Sequence, residues 1–505
     1  MAHAEERPAR RCLVTGATGY IGGRLVPELL DAGFTVRCMV RRPDAARAHP
    51  WADRVEIVHG DPLRPETLPA ALDGVDVAYY LIHAMGGKGG DFAERDRRAA
   101  RAFADAAAAA GVGRIVFLGG MRSGGELSRH LRSRAEVARI LLGSPVPTVV
   151  LRAGVIIGSG SASFEMLRYL TERLPAMVTP TWVRSRVQPI AIRDVLGYLV
   201  GAAHLPPEVN RGFDIAGPDV LTYREMMLRY AAAAGLPHRV IVGVPLLTPS
   251  LSSLWVGFVT PVPGQIARPL VESLTSEVVA GEHDIARYVP DPPGGLLGFE
   301  EAVRRALRRV RTGDVSTWWG SAATPGASSD PLPTDPDWAG GVLFVDEREQ
   351  RTRAPAPAVW RVIESIGGRH GWYSLPVAWR LRGVLDRLAG GVGLRRGRRD
   401  PERLRVGDAL DFWRVETLDP GRSLRLRAEM LLPGRAWLDL SVEPDGAGGS
   451  RYRQRAIFRP HGLLGHLYWW SISPFHGLIF GRMPRNLTAT AEAETRADDR
   501  EPAPV

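Results

Sequence analysis

Over the first 310 residues, short apolar runs alternate with longer amphipathic stretches. Residues 12–14, 35–40, 55–58, 77–82, 115–118 and 148–151 are apolar runs of strand length. Helix-period patterns occupy 25–30, 66–72, 92–110 and 131–142. Strands that read as continuous apolar runs are covered on both faces, which is the habit of parallel sheets. Their alternation with helices predicts βαβ units joined by right-handed crossovers. The expected class is α/β, a doubly wound parallel sheet, with a ligand crevice beyond the carboxyl ends of the strands.

The pattern then breaks. Residues 313–338 contain Gly320-Ser-Ala-Ala-Thr-Pro-Gly-Ala-Ser-Ser-Asp-Pro and cannot bury a core. They read as a linker, with Trp318 and Trp319 placed to dock on a flanking domain. Beyond it the spacing predicts a strand over 342–345, a helix over 357–366, and strands over 410–415, 424–430, 437–442 and 452–458. The turn signals Asp419-Pro-Gly, Pro433-Gly and Pro444-Asp-Gly make these an antiparallel meander. Leu424, Leu426 and Ala428 alternate with Arg425, Arg427 and Glu429, so one face is dry. An apolar helix over 463–483 closes the region as an α+β domain. A sheet gripping a helix leaves either an apolar hollow for a hydrophobic ligand or a filled core. The expected organisation is a disordered tail (1–10), a first domain (11–312), the linker, a second domain (339–490) and a disordered tail (491–505).

Composition narrows the classes. The chain has 505 residues and a net charge of +10, enough for two domains. Lys88 is the one lysine among 65 basic residues. That bias is compositional and does not point to nucleic acid. The excess sits in 341–490, where 25 arginines face 15 acidic residues. It reads as a solvated basic face or as attraction to an anionic surface. Cys12 and Cys38 fall on the first two strands as buried thiols, and the polar N-terminus shows no signal peptide, so a cytoplasmic location is expected. Residues 240–267 are uncharged but interrupted by Pro245, Pro249 and Pro261. Residues 463–480 contain His466, Pro474 and His476. Neither offers an uninterrupted span of about 30 Å, which leaves peripheral membrane contact as the open alternative.

The chemistry is concentrated in Leu13-Val-Thr-Gly16-Ala-Thr18-Gly19-Tyr20-Ile21-Gly22-Gly. Strand, glycine turn and helix start form a pyrophosphate cradle. Gly16 permits the turn, Gly19 lets main-chain amides approach the phosphates, and Gly22 lets the helix pack on the strand. The helix N-terminus adds partial positive charge. The second strand ends Val40-Arg41-Arg42-Pro43, with no acid before Asp44. Arginine forks match a phosphate. The expected cofactor is NADP(H) rather than NAD(H), with Arg41 and Arg42 or Arg37 on the 2′-phosphate; plain exposure is the alternative.

Several motifs make the first 310 residues similar to the short-chain dehydrogenase/reductase superfamily, in its extended or atypical branch. They are Thr15-Gly-Ala-Thr-Gly-Tyr-Ile-Gly22, His59-Gly-Asp61, Leu151-Arg-Ala-Gly-Val-Ile-Ile-Gly158, Gln188-Pro-Ile-Ala-Ile-Arg-Asp-Val195 and Phe213-Asp-Ile-Ala-Gly-Pro-Asp-Val-Leu-Thr-Tyr-Arg-Glu225. The branch resembled is that of the nucleotide-binding accessory subunit of respiratory complex I. The C-terminal part resembles an uncharacterised domain that follows this Rossmann domain in bacteria, of the START-like helix-grip class. The first resemblance implies that Asp61 contacts the adenine amino group. It also implies a Tyr-x-x-x-Lys pair, in which lysine lowers the tyrosine pKa for proton exchange. Here His130 and Arg134 stand at those two positions, and Gly119-Gly120 replaces the usual serine. Histidine transfers protons near neutral pH, so His130 and Arg134 are the catalytic candidates. The other reading is a helix that only supports the cofactor. His83 sits past the fourth strand, either facing the nicotinamide or as a loop histidine. Glu165 and Arg168 line the substrate side or lie on the surface. The run Arg395-Arg-Gly-Arg-Arg399, with Arg403 and Arg405, binds an anion or is solvated. No metal site is expected. The implied activity is an NADP(H)-dependent oxidoreductase acting on a quinone, isoprenoid or lipid-like substrate. The alternative is an NADP(H)-binding sensor or scaffold.

Overall fold

A computed structural model of the chain describes residues 10–47, 49–82, 92–121, 128–244, 259–260, 262, 264–274, 276–312, 343–367, 371–373, 403–446 and 448–498. It divides into two compact units, Met1–Gly341 and Val342–Val505.

The first unit is built on a seven-stranded parallel sheet. Its strands are β1 (Arg11–Thr15), β2 (Thr35–Val40), β3 (Glu56–His59), β4 (Val77–Tyr80), β5 (Arg114–Gly120), β6 (Thr148–Ala153) and β7 (Arg211–Ile215), in the order β7-β6-β5-β4-β1-β2-β3. The direction of winding reverses between β1 and β4, which opens a crevice at their carboxyl ends. Alternate strand residues serve the two faces. Cys12, Val14, Cys38, Tyr79, Val116, Leu151 and Phe213 are buried in a core on one side, where α1 (Tyr20–Asp31) meets a helix over Ile192–Ala202. Leu13, Met39, Ala78, Tyr80, Ile115, Phe117 and Val150 are buried on the other, with α2 (Phe92–Ala109) and α3 (Arg129–Leu142). Burial pushes both cysteine thiols up to about 12, so they stay protonated.

A second core in this unit joins α4 (Ala162–Arg173), α6 (Tyr223–Ala234), α7 (Gly264–Ser273) and α8 (Phe299–Thr312), with short two-stranded ladders beside them; the helix that meets α1 in the first core is α5 (Ile192–Ala202). The stretch expected as one helix over 66–72 is instead a 3-10 turn, Pro65–Thr67, followed by a short helix, Leu68–Leu72.

The second unit is a six-stranded antiparallel sheet. Its strands are β8 (Phe344–Thr352), β9 (Ala409–Leu410), β10 (Trp413–Asp419), β11 (Ser423–Ala428), β12 (Gly434–Pro444) and β13 (Ser450–Pro460), in the order β8-β13-β12-β11-β10-β9. Among the described residues, the helices α9 (Ala356–Glu364) and α10 (Gly462–Asp498) pack on it. The tail expected from residue 491 is corrected: α10 runs on to Asp498. Leu487 and Ala491 are fully buried, and Glu492 accepts from Thr352 Oγ1 at 2.7 Å and from Arg353 N–H at 3.1 Å. The described side chains between sheet and helices form a packed core of Trp360, Phe412, Leu426, Leu440, Tyr452 and Met483. The expected linker over 313–338 and the arginine run over 395–399 lie outside the described residues, whereas Arg403 and Arg405 are exposed.

Candidate functional site

The site grows from the exit of β1. Thr15 is fully buried at the last position of the strand. Its hydroxyl donates to Tyr79 O at 2.9 Å and accepts from Leu81 N–H at 3.0 Å. It therefore bridges β1 and β4 where the winding reverses. Gly16 turns the chain with φ +67°, a conformation that L side chains rarely adopt. Gly19 N–H donates to Gly16 O at 2.9 Å, and Gly19 is the residue preceding α1. A Cβ on Gly22 would lie 2.3 Å from Gly16 O, so only glycine lets α1 start this close to the turn. The first-turn amides of α1 have no partners within the helix and present partial positive charge. A pyrophosphate fits this cradle.

The neighbouring candidates divide. Arg41 and Arg42 are exposed just past the carboxyl end of β2, the side on which a ribose would lie. Arg37 is corrected. It is buried mid-strand opposite Glu56, with Nε at 2.8 Å from the carboxylate and Nη1 donating to the carbonyls of Ala71 and Asp73. It has no reach to a phosphate at the strand's end. Asp61 is half-buried past β3, and its carboxylate accepts from Leu63 N–H at 3.0 Å. Thr18 is exposed, and Tyr20 and Ile21 are half-buried at the start of α1. Tyr20 carries Arg24 over its ring at 4.3 Å, and a Cβ on Gly158 would lie 2.4 Å from its hydroxyl. Tyr20 thus packs against the first core, beside Gly158 and Ile192. His83 lies outside the described residues.

His130 and Arg134 both line a cavity of about 240 Å3 at the carboxyl ends of β5 and β6. Ser128 caps α3 by accepting from Leu131 N–H at 3.3 Å, which fixes where the helix begins. Arg134 reaches back under the sheet's edge. It donates to Ile82 O at 3.2 Å and to Leu118 O, with Phe117 beneath it at 4.5 Å. Burial lowers its pKa to about 10, against opposing pulls from Asp96 and Tyr80, so it is charged at neutral pH. The cavity wall is mostly apolar: Met121, Leu131, Val155, Leu270, Leu274 and Val278. Ser163 and Tyr223 supply hydroxyls, and burial raises the Tyr223 pKa well above its ordinary value of 10. A second, smaller cavity of about 40 Å3 shares Val155, Ser163, Tyr223 and Leu274 with the first. It extends the apolar wall to Met166, Leu170, Trp182 and Met226.

Some expected site residues do other work. Glu165 and Arg168 are not on the surface; they form a fully buried ion pair at 3.1 Å. Glu165 also accepts from Gly160 N–H at 2.9 Å. The motif residues downstream are ties between segments. Gln188 joins Gly217 O and Ala280 N–H, Asp194 accepts from Leu297 N–H, and Asp214 pairs with Arg152 at 2.7 Å. The residues missed in the sequence are Thr15, Met121, Val155 and Tyr223. Thr15, Val155 and Tyr223 stand inside quoted motifs without being singled out there, and Met121 directly follows Gly119-Gly120.

A parallel sheet with a glycine cradle at its switch point defines an NAD(P)-binding Rossmann domain, and residues 16–144 match the NAD(P)H-binding family. Ceramide reductase of Caulobacter vibrioides is 30% identical over 233 residues, 45% of this chain and 72% of that protein. NAD(P)H azoreductase of Xenophilus azovorans is 28% identical over 231 residues, 45% of this chain and 76% of that protein. The 3 beta-hydroxysteroid dehydrogenase/Delta 5-->4-isomerase of Mycobacterium tuberculosis is 40% identical over 80 residues, 15% of this chain; the chain spans about one fifth (21%) of its length. A triphenylmethane reductase of Citrobacter, solved with NADP(H), aligns at 21% identity and a TM-score of 0.47, over 59% of this chain and 100% of that one. The chain belongs to the NAD(P)-binding reductase family that includes the Caulobacter protein. Residues 338–483 add a domain of the family described as "Protein of unknown function (DUF2867)".

Proposed function

We propose that the protein is an NADP(H)-dependent reductase of atypical type whose substrate is a hydrophobic small molecule of the quinone, isoprenoid or lipid class. The observation that carries this is the apolar cavity of about 240 Å3 that opens at the carboxyl edge of the sheet beside His130 and Arg134. In this reading residues 16–22 hold the pyrophosphate, Arg41 and Arg42 hold the 2′-phosphate, and Asp61 faces the adenine. His83 and Arg134 flank the nicotinamide side. When bound, the nicotinamide supplies hydride. The apolar wall excludes water and orients the substrate. His130 is the proton donor and Arg134 a fixed positive charge at the cavity's edge. A lipid-like substrate would be drawn from a membrane, so peripheral membrane contact belongs to the same reading.

One observation favours the second reading, a sensor or scaffold. Two carbonyls already hold Arg134, and Gly119-Gly120 brings no hydroxyl to the cavity.

Two measurements decide. Arg41→Ser with Arg42→Ser should weaken NADPH binding about 10- to 150-fold, the worth of one charge-assisted hydrogen bond of roughly 1.5–3 kcal/mol, and leave NADH binding unchanged. Equal effects on both coenzymes would refute the phosphate assignment. NADPH oxidation with a panel of quinones and enones should then depend on His130. No turnover across the panel, with NADPH bound, would leave the sensor reading in place.

A further inference from the structure

The first turns of α10 direct apolar side chains at solvent. Leu464, Leu467 and Trp470 are 71%, 48% and 62% exposed, with Leu463 beside them at 39%. Their spacing follows the helical repeat, so they form one stripe. The opposite stripe is firmly packed. His466 is buried, and Trp469 stacks on Phe344 at 4.8 Å and on Phe458 at 5.8 Å. A Cβ on Gly465 would lie 2.4 Å from Pro433 O, and His461 N–H donates to that carbonyl at 2.9 Å. These contacts pin the β11–β12 loop against the helix start, and that loop carries Leu431, 59% exposed. The stripe therefore belongs to a fixed face rather than a frayed end.

The chain segments that carry this face have charge of one sign. Residues 430–438 and 457–491 contain no Asp or Glu, but they contain Arg435, Arg459, Arg482 and Arg485. Arg435, Arg482 and Arg485 are exposed. Arg482 and Arg485 follow Leu464 and Leu467 by eighteen residues, about five turns, which returns them to the same side. Among the described residues, no helix is long and apolar enough to cross a membrane.

We propose that this face docks on the surface of an anionic phospholipid bilayer, with Leu464, Leu467 and Trp470 seated at the headgroup–acyl boundary and the arginines on lipid phosphates. Tryptophan and leucine on a helix flanked by arginines are what an interfacial helix needs. An apolar stripe on segments whose charged side chains are all arginines fits a negative surface better than a neutral protein face. The proposal deepens the lipid-substrate reading but rests on the second unit, and its test needs neither cofactor nor turnover.

The test is co-sedimentation of the full chain with vesicles of phosphatidylcholine alone, and of phosphatidylcholine mixed with phosphatidylglycerol. Retention should be strong on the mixed vesicles, weaker on the neutral ones, and should fall with salt. Leu464→Glu with Leu467→Glu should weaken it roughly tenfold or more, with helicity by circular dichroism unchanged. The milder Trp470→Ala should weaken it less. Arg482→Gln with Arg485→Gln should lower binding to the anionic vesicles only. The proposal is overturned by absence of retention, by equal retention of the glutamate variants, or by equal retention on both vesicle types. It is also overturned if the glutamate variants split a solution dimer, because the face would then be a contact between copies. A protein that binds vesicles but turns nothing over keeps this proposal and loses the reductase reading; the converse loses only this one.

Discussion

Alanine at Gly22 is the sharpest probe of the cradle. The added Cβ would stand 2.3 Å from Gly16 O, 2.8 Å from Gly16 C and 2.9 Å from Ala17 Cα. Comfortable carbon contacts lie at about 3.5–4.0 Å, so relief requires a shift of roughly an ångström. All three neighbours are backbone, and no side chain can swing away. The turn and α1 must separate, which strains the 2.9 Å bond from Gly19 N–H to Gly16 O. Overpacking of this kind costs about 1–3 kcal/mol of stability. One amide withdrawn from a phosphate costs a further 1.5–3 kcal/mol or so of binding, about 10- to 150-fold in Kd. Gly197, in α5, is the matched control. It is exposed, and a Cβ added there would meet nothing within 4 Å, so alanine should stabilise by about 0.5–1 kcal/mol. Calorimetric titration with NADPH and NADH, alongside urea unfolding, reads both effects. A Gly22→Ala protein that binds NADPH as tightly as the parent refutes the cradle as a phosphate site.

Three further outcomes are expected. Thr15→Val keeps the shape but strips Tyr79 O and Leu81 N–H of their buried partner, and should cost about 1–3 kcal/mol in urea unfolding with weaker NADPH binding. Arg168→Met leaves Glu165 charged and buried, and should cost about 3–5 kcal/mol; Glu165→Gln with Arg168→Met should recover part of that loss, and equal losses would show the pair is not coupled. The Glu492 pKa is held below its ordinary 4.5 by Thr352 and the Arg353 amide. A depressed folded-state pKa contributes stability that is full above the unfolded value and lost as pH falls through the folded one. Glu492→Gln should therefore lower stability at pH 7 and flatten its decline below about pH 4.5; parallel pH profiles would contradict this.

The sheet of the first unit was legible because its central strands are apolar on both faces. β7 was not, because Arg211 and Asp214 interrupt it, and both are engaged with charges elsewhere, on Asp284 and Arg152. β8 runs to Thr352, well past the expected 345, because Asp346–Arg348 and Glu347–Arg453 pairs satisfy a strand whose letters look like a loop. The glycine cradle could be read because its constraints are local. The burial of Arg37 could not be read, since its partners, Glu56 on the neighbouring strand and the carbonyls of Ala71 and Asp73, depend on register and packing. The cavity was invisible for a related reason. Met121, His130, Val155, Tyr223 and Leu270 come from five separate segments, and no spacing along the chain announces that they meet.

Arginine usage explains why bulk charge misleads here. Several guanidiniums of the first unit are buried or half-buried on neutral main-chain carbonyls: Arg24 on Ser159, Arg114 on Leu205, Pro206 and Val209, Arg239 on Thr171 and Pro237, and the half-buried Arg134 on Ile82. A planar fork with five donors can hold two or three carbonyls at once, which a single ammonium at the end of a flexible stem does poorly. Burial lowers the pKa of Arg114, Arg134 and Arg239, yet each remains charged at neutral pH and offers little field to a partner in solution. They add to the formal +10 without adding to an exposed basic surface. The positive charge available to a partner is therefore a matter of place rather than sum, and residues 430–438 with 457–491, which carry no acid, are where exposed arginines and exposed apolar side chains coincide.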